Sequence, residues 1–318
     1  MIASIVLLAY AALLASVVAP ALRAARWVEH APRWGLAAWL ALAWSLVLSV
    51  GLAVTTLCLN LPSSATQLHR AITLCLHALG GSSGLPAALL AALSLTALLA
   101  GTVRLLHTLT RHWWRTLRQR RAHTRALFLL GRTEPRIGAL VLDDHRPAAY
   151  CVSGGRGHIV LTTAALDRLT PTQLHSVLAH ERAHLRGRHA LLVAAGTLPA
   201  RLLPGLGATQ HAARAVARLV EYTADDTASE HTDRLTLAEA LLTLGTPTPA
   251  PTSTLGATAT GTPARITRLL HDEPGRRRTR WSLAAPTAIA GVTIPVLLAV
   301  VTAHLGGTWN ACLLGLPC

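Results

Sequence analysis

Four long apolar runs limit what this chain can fold into more than any other feature. They are Ile2–Leu22, Gly35–Cys58, Leu85–Leu106 and Ser282–Ala303. Each is about 20 residues or slightly more, enough to cross a hydrocarbon layer of roughly 30 Å. In lipid a backbone must satisfy its own N–H and C=O groups, so such runs are expected as helices. Pro286 and Pro295 are expected to kink the fourth, which spans tolerate. No positive residue precedes the apolar core of the first run, which therefore reads as an uncleaved anchor rather than a signal peptide. Over the whole chain 52% of residues are hydrophobic and 14% charged, a balance that fits a membrane protein with one soluble part.

The basic residues orient the spans. All 29 are arginine. Arg23, Arg26 and Arg33 follow the first run, only Arg70 follows the second, and Arg104, Arg111, Arg115, Arg118, Arg120 and Arg121 follow or end the third. Arg276, Arg277, Arg278 and Arg280 precede the fourth. Arginine collects on the cytoplasmic side of short loops, so both termini are expected outside and the long segment between the third and fourth runs in the cytoplasm. The same rule accounts for a pI near 11.4 without nucleic acid as a partner. Trp113 and Trp114 suit an interfacial anchor against the lipid bilayer. Cys58, Cys75, Cys312 and Cys318 fall outside or at the outer boundary, where disulfides form. Cys58 with Cys75 and Cys312 with Cys318 is one of three pairings, and four buried free thiols are the alternative. Cys151 falls in the cytoplasm.

The segment between Arg104 and Trp281 carries nearly all the acidic residues. Arg111–Leu130 reads as a basic helix. Ala148–Ser153 and His158–Thr162 flank Gly154-Gly155 and read as a β-hairpin. Thr170, Pro171 and Gln173 supply an N-cap, a proline at the first helical position and a capping-box partner; Gly187 marks the stop. A second helix is expected from Ala208 to Ser229. Between them Leu191–Leu206, interrupted by Pro199, Arg201 and Pro204, reads as a buried or membrane-grazing segment, too short for a fifth span. Thr246–Ala264 reads as a flexible linker.

The capped helix contains His180-Glu181-x-x-His184. Residues four apart share a helix face, so the two imidazoles project together with Glu181 beside them. Neutral imidazoles suit one zinc ion, and the carboxylate can take a proton from a water that zinc acidifies. A catalytic zinc needs a third protein ligand and an open fourth position. Glu221 on the second helix is the best candidate, and Asp225, one turn on, can accept the second N–H of a ligand histidine. Asp226 reads as solvated; His175, His189 and His211 lie off the pattern and read as surface or core histidines.

From Ala149 to Leu192, and again at "LVEYTADDTA", the chain resembles the BlaR/MecR-type membrane metallopeptidases, distant relatives of the HtpX and CAAX-prenyl proteases. The close likeness spans about residues 148–230, and the looser arrangement of spans extends it to roughly 1–303. The resemblance implies a minimal zincin (gluzincin-like) fold, with His180, His184 and Glu221 as ligands and Glu181 as general base. The stretch "ARITRLL" looks like the arginine-containing helix near the end of such domains, which makes Arg265 a candidate for site support or oxyanion stabilisation. The antibiotic sensors of this family carry a penicillin-binding domain after the last span. Only a short tail follows here, so beta-lactam sensing is not carried over.

The expected architecture is a mainly α membrane protein of the bacterial cell membrane, with four transmembrane helices and a cytosolic α+β zincin domain between the third and fourth. Its parts are a three-span region (1–110), the metallopeptidase domain (111–281, with 246–264 a flexible loop) and a fourth span with an outer tail (282–318). The leading expectation is a zinc endopeptidase cutting a cytosolic protein, with a BlaI-type transcriptional repressor as one candidate. HtpX-like quality control and a non-catalytic zinc scaffold are the alternatives. An intact Glu181 argues against a scaffold, because a structural site needs no base. Arg182, Arg186 and Arg188 argue against an intramembrane site.

Overall fold

The computed structural model describes residues 2–77, 131–152, 157–245, 255–256 and 262–271, the side chains of 58–77 excepted, with single positions between 96 and 118 and between 294 and 301. Two compact units make up the chain. One comprises Met1–Ala21, Trp44–Trp113 and Ile289–Cys318, the other Leu22–Ala43 and Trp114–Ala288.

Helix α1 (Ile2–Ala24) contains a π-helical turn at Leu14–Val18, and α3 (Pro32–His77) follows the short α2 (Trp27–His30); most of α1 and α3 from Trp44 onward belong to the first unit, α2 and the start of α3 to the second. Ile2–Ala24 and Pro32–Leu57 are long and apolar enough to cross a membrane. Ser4 bonds Thr56 at 2.9 Å and Tyr10 bonds Ser45 at 3.2 Å, linking the two helices. Ile2, Ile5, Leu13 and Val17 are more than half exposed. The second helix does not stop at Cys58 as the apolar run does but continues to His77. No glycine lies between Gly51 and Gly80 to end it, and the helix carries Pro62 within it. The third and fourth apolar runs, the Arg111–Leu130 helix and the side chains of Cys58, Cys75, Cys312 and Cys318 lie almost wholly outside the described residues.

The second unit is built on a five-stranded sheet. Its strands are β1 (Arg132–Glu134), β2 (Ala139–Leu142), β3 (Ala149–Val152), β4 (His158–Thr162) and β5 (Leu255–Gly256), in the order β1-β2-β4-β3-β5. The expected hairpin is β3–β4, with Cys151 opposite Ile159, and β2 lies parallel on the other side of β4. Alternation divides the strands: Ile159 and Leu161 face the main core, Val160 the opposite face with Leu140 and Val152. Among the described residues β4 is followed by α4 (Thr163–Arg168), α5 (Pro171–Arg186), α6 (His189–Leu202), α7 (Gly207–Ala228) and α8 (Arg234–Leu244), and α9 (Thr262–His271) follows β5.

The main core joins the sheet to α5 and α8 through Ile159, Leu161, Val177, Leu178, Ala240 and Leu244. A second cluster, Ala179, Ala228, Leu237, Leu241 and Leu269, ties α5, α7, α8 and α9 together. The segment expected as buried or membrane-grazing is the regular helix α6, with Pro199 buried inside it and Pro204 beyond its end. A Cβ on its Gly196 would come within 2.9 Å of Val216, so α6 lies against α7 as closely as backbone allows. The expected linker is not wholly irregular: Leu255–Gly256 pairs antiparallel with β3, and Thr262–Ala264 already belong to α9.

Within the same unit α2 and the start of α3 pack on α7 and α9. Glu29 pairs with Arg218 at 3.1 Å, its carbonyl accepts from Arg268 Nε at 3.3 Å, and Arg33 donates to Thr227 at 3.4 Å. Gly35 passes so near that a Cβ would meet Leu219 at 3.0 Å.

Candidate metal centre

Helix α5 begins where the sequence predicts. Thr170 accepts from Gln173 N–H, the Gln173 side chain accepts from Thr170 N–H, and Pro171 opens the first turn. From that fixed start, 3.6-residue periodicity carries His180, Glu181 and His184 inward; their residues are 2%, 0% and 1% exposed. Helix α7 packs against α5 and brings Glu221 and Asp225 to the same place, while α9 inserts Arg265, 2% exposed.

His180 Nε2 and His184 Nε2 converge to 3.0 Å, and each lies 3.6 Å from a Glu221 carboxylate oxygen. His180, His184 and Glu221 form a group that could hold a metal ion. A tetrahedral zinc with bonds of about 2.0–2.1 Å separates its donor atoms by about 3.4 Å, a spacing these distances bracket. Two imidazoles and one carboxylate are also the donor types zinc takes at catalytic sites. Both Glu181 carboxylate oxygens are buried with no hydrogen bond of good geometry, as expected of a group that works on an ion or its water.

Around the triad the charges are ordered. Asp225 Oδ1 lies 3.0 Å from His180 Nδ1. Arg265 grips Asp225 through two N–H groups, at 2.8 and 2.6 Å, and sets Nη1 3.0 Å from Glu221. Burial alone would raise the Asp225 and Glu221 carboxyls. For Asp225 the Arg265 charge and the contact with His180 outweigh burial; for Glu221 the His184 and Arg265 charges do, and both carboxyls are held well below their ordinary range. Glu181 goes the other way: burial lifts its carboxyl above the ordinary value, against the opposing pull of His180 and His184. A carboxylate with a raised pKa is a better proton acceptor. The buried Cys151 thiol of β3 sits beside Glu181 and is pushed up by burial and then by the Glu181 charge, so it is inert as a nucleophile.

Asp226 reads differently in the structure than in the sequence, and His189, expected at the surface or in the core, has a particular place in the core. Asp226 is not solvated: Arg268 binds it at 2.7 and 3.0 Å and stacks over Tyr222. His189 is buried beside the triad, its Nδ1 2.9 Å from His184 Nδ1. The only signal for it was the histidine directly after the helix-stopping Gly187-Arg188. His175 and His211 have no place in the centre; His211 bonds its own helix at Gly207.

A capped helix bearing His-Glu-x-x-His, with a glutamate and an aspartate from a second helix, is the arrangement of a metallopeptidase centre. Residues 115–203 match the model of Peptidase family M48, a match that supports a peptidase hydrolase. It covers His180, Glu181 and His184 and ends before Glu221, Asp225 and Arg265. No curated protein and no solved structure matches the chain.

Proposed function

We propose that the chain is a membrane-anchored zinc endopeptidase that cuts a protein on the cytosolic side. The observation that carries this reading is a fully buried Glu181 carboxylate, with no cation paired to it among the described residues, beside a His180–His184–Glu221 donor set of zinc spacing. A structural site would not need such a group.

When bound, zinc supplies Lewis acidity that brings the pKa of a water molecule toward about 7 and polarises a peptide carbonyl. The chain's residues do the rest. Glu181 accepts the proton from the attacking water and can return it to the leaving amine. Asp225 holds His180 in the tautomer that presents Nε2. Arg265 keeps Asp225 and Glu221 ionised and in place. The low exposure of the centre excludes bulk water and strengthens these charges.

The membrane assignment draws on the two apolar helices and their exposed isoleucines, leucines and valines; the cytosolic side draws on the arginine distribution. Among cytosolic substrates a BlaI-type repressor would make the protein a signal transducer, and a misfolded membrane protein would make it a quality-control protease. Purified full-length chain is expected to cleave casein, to stop when a chelator strips the zinc, and to resume on adding zinc back. Cleavage that persists in the metal-free protein contradicts the reading.

A further inference from the structure

The two histidines of the triad are held by different partners. His180 has the Asp225 carboxylate at its Nδ1, 3.0 Å away. His184 has only the His189 ring, with Nδ1 to Nδ1 at 2.9 Å and the rings nearly perpendicular at 88°. Two facing Nδ1 atoms at that distance can bond only if one carries the proton and the other offers a lone pair. When His184 uses Nε2 toward the metal, its proton sits on Nδ1, so His189 must be the acceptor with its own proton on Nε2.

The local chain is built to put the ring there. Gly187 ends α5, Arg188 takes the left-handed conformation at φ 49°, and α6 starts at His189. That reversal folds the first residue of α6 back over the last turn of α5. A Cβ on Gly187 would lie 2.3 Å from His189 Nε2, so the ring position requires glycine at 187. His189 is 3% exposed and also lines an open pocket of about 1130 Å³ together with Pro32, Trp34 and Leu40. A histidine needed only for packing would not require its acceptor nitrogen on the back of a metal-facing imidazole.

We propose that His189 is a positioning residue for the metal, accepting the His184 Nδ1–H and thereby fixing the tautomer and rotation that present His184 Nε2. The inference rests on the zinc reading above and deepens it: one ligand is oriented by a charged carboxylate, the other by a neutral imidazole.

The test is zinc affinity of the full-length chain, measured by competition with a chromophoric chelator, together with the visible spectrum of the cobalt-loaded protein. His189→Phe keeps a ring but removes the acceptor. His189→Asn keeps an acceptor near the Nδ1 position. Gly187→Ala keeps the imidazole but displaces it. Outer partners of ligand histidines are worth about 10–100-fold in affinity, so His189→Phe is expected to bind zinc at least tenfold more weakly and to alter the cobalt bands, Gly187→Ala to weaken zinc in the same direction, and His189→Asn to stay within about threefold of the parent. If His189→Phe binds zinc like the parent, or if His189→Asn loses as much as His189→Phe at an unchanged melting temperature, His189 only packs and the proposal is overturned. Should His189→Phe fail to fold, His189→Asn and Gly187→Ala still decide it. A parent chain that binds no zinc overturns the metal reading itself, a separate result from parent-like binding in the variants.

Discussion

At Asp225 and Arg265 one pair does two jobs, orienting a metal ligand and neutralising a buried charge. Their side chains are 1% and 2% exposed and joined by two hydrogen bonds. Removing one partner leaves the other ionised in a dry site, a defect worth about 3–5 kcal/mol. Arg265→Leu is therefore expected to destabilise the metal-free protein by about that amount in denaturant unfolding, and Asp225→Ala to weaken zinc or activity by about 10–100-fold. Parent-like stability of Arg265→Leu contradicts the pairing. The pH sign follows from the depressed Asp225 carboxyl: its contribution is present in full above the ordinary carboxylate value of about 4 and fades as pH falls toward the lower folded value. His180, Glu181 and His184 could be read from the sequence because one helix turn places them together. Glu221 and Asp225 needed the further guess that two helices pack. His189 and the Asp226–Arg268 pair were not legible, because each depends on a chain reversal or on a contact between helices far apart in sequence.

Local signals fixed the elements they touch and were silent about the rest. The capping box and Gly187 gave the limits of α5 to the residue, and the β-rich stretches on either side of Gly154-Gly155 gave the antiparallel β3–β4 pair. The parallel β2–β4 pairing and the two-residue β5 leave no such mark, since their hydrogen bonds depend on chain brought from elsewhere. Helix α6 was legible only as a short buried or membrane-grazing segment, because prolines and an arginine interrupt its apolar run; it packs on α7 at Gly196, with Pro199 inside it. That packing is testable. Gly196→Val would drive methyl groups into Val216, and overpacking of this kind costs about 1–3 kcal/mol. Because α7 carries Glu221 and Asp225, the variant should melt lower and release zinc more readily than the parent. An unchanged melting temperature argues against close α6–α7 contact.

For the molecule as a whole, the first two apolar runs announced helices, although not that the second would continue to His77. What the runs could not reveal is that Leu22–Ala43 joins the unit that holds the metal centre, a consequence of contacts such as Glu29 with Arg218. The proposed orientation predicts labelling. A cysteine placed at the exposed His145 should be protected from an impermeant thiol reagent in intact cells, and one at Ser82 should react; the opposite pattern reverses the topology. The claim on which everything else depends is that Glu181 is the base of a metal-dependent peptidase. Glutamine at 181 is nearly isosteric but cannot accept the proton. The decisive measurement is zinc content beside casein cleavage for Glu181→Gln, with His184→Ala and Glu221→Ala in parallel. Glu181→Gln is expected to keep about one zinc per chain and the parent fold while losing proteolysis, and the other two to lose zinc as well. If Glu181→Gln cuts as fast as the parent, the catalytic assignment is wrong.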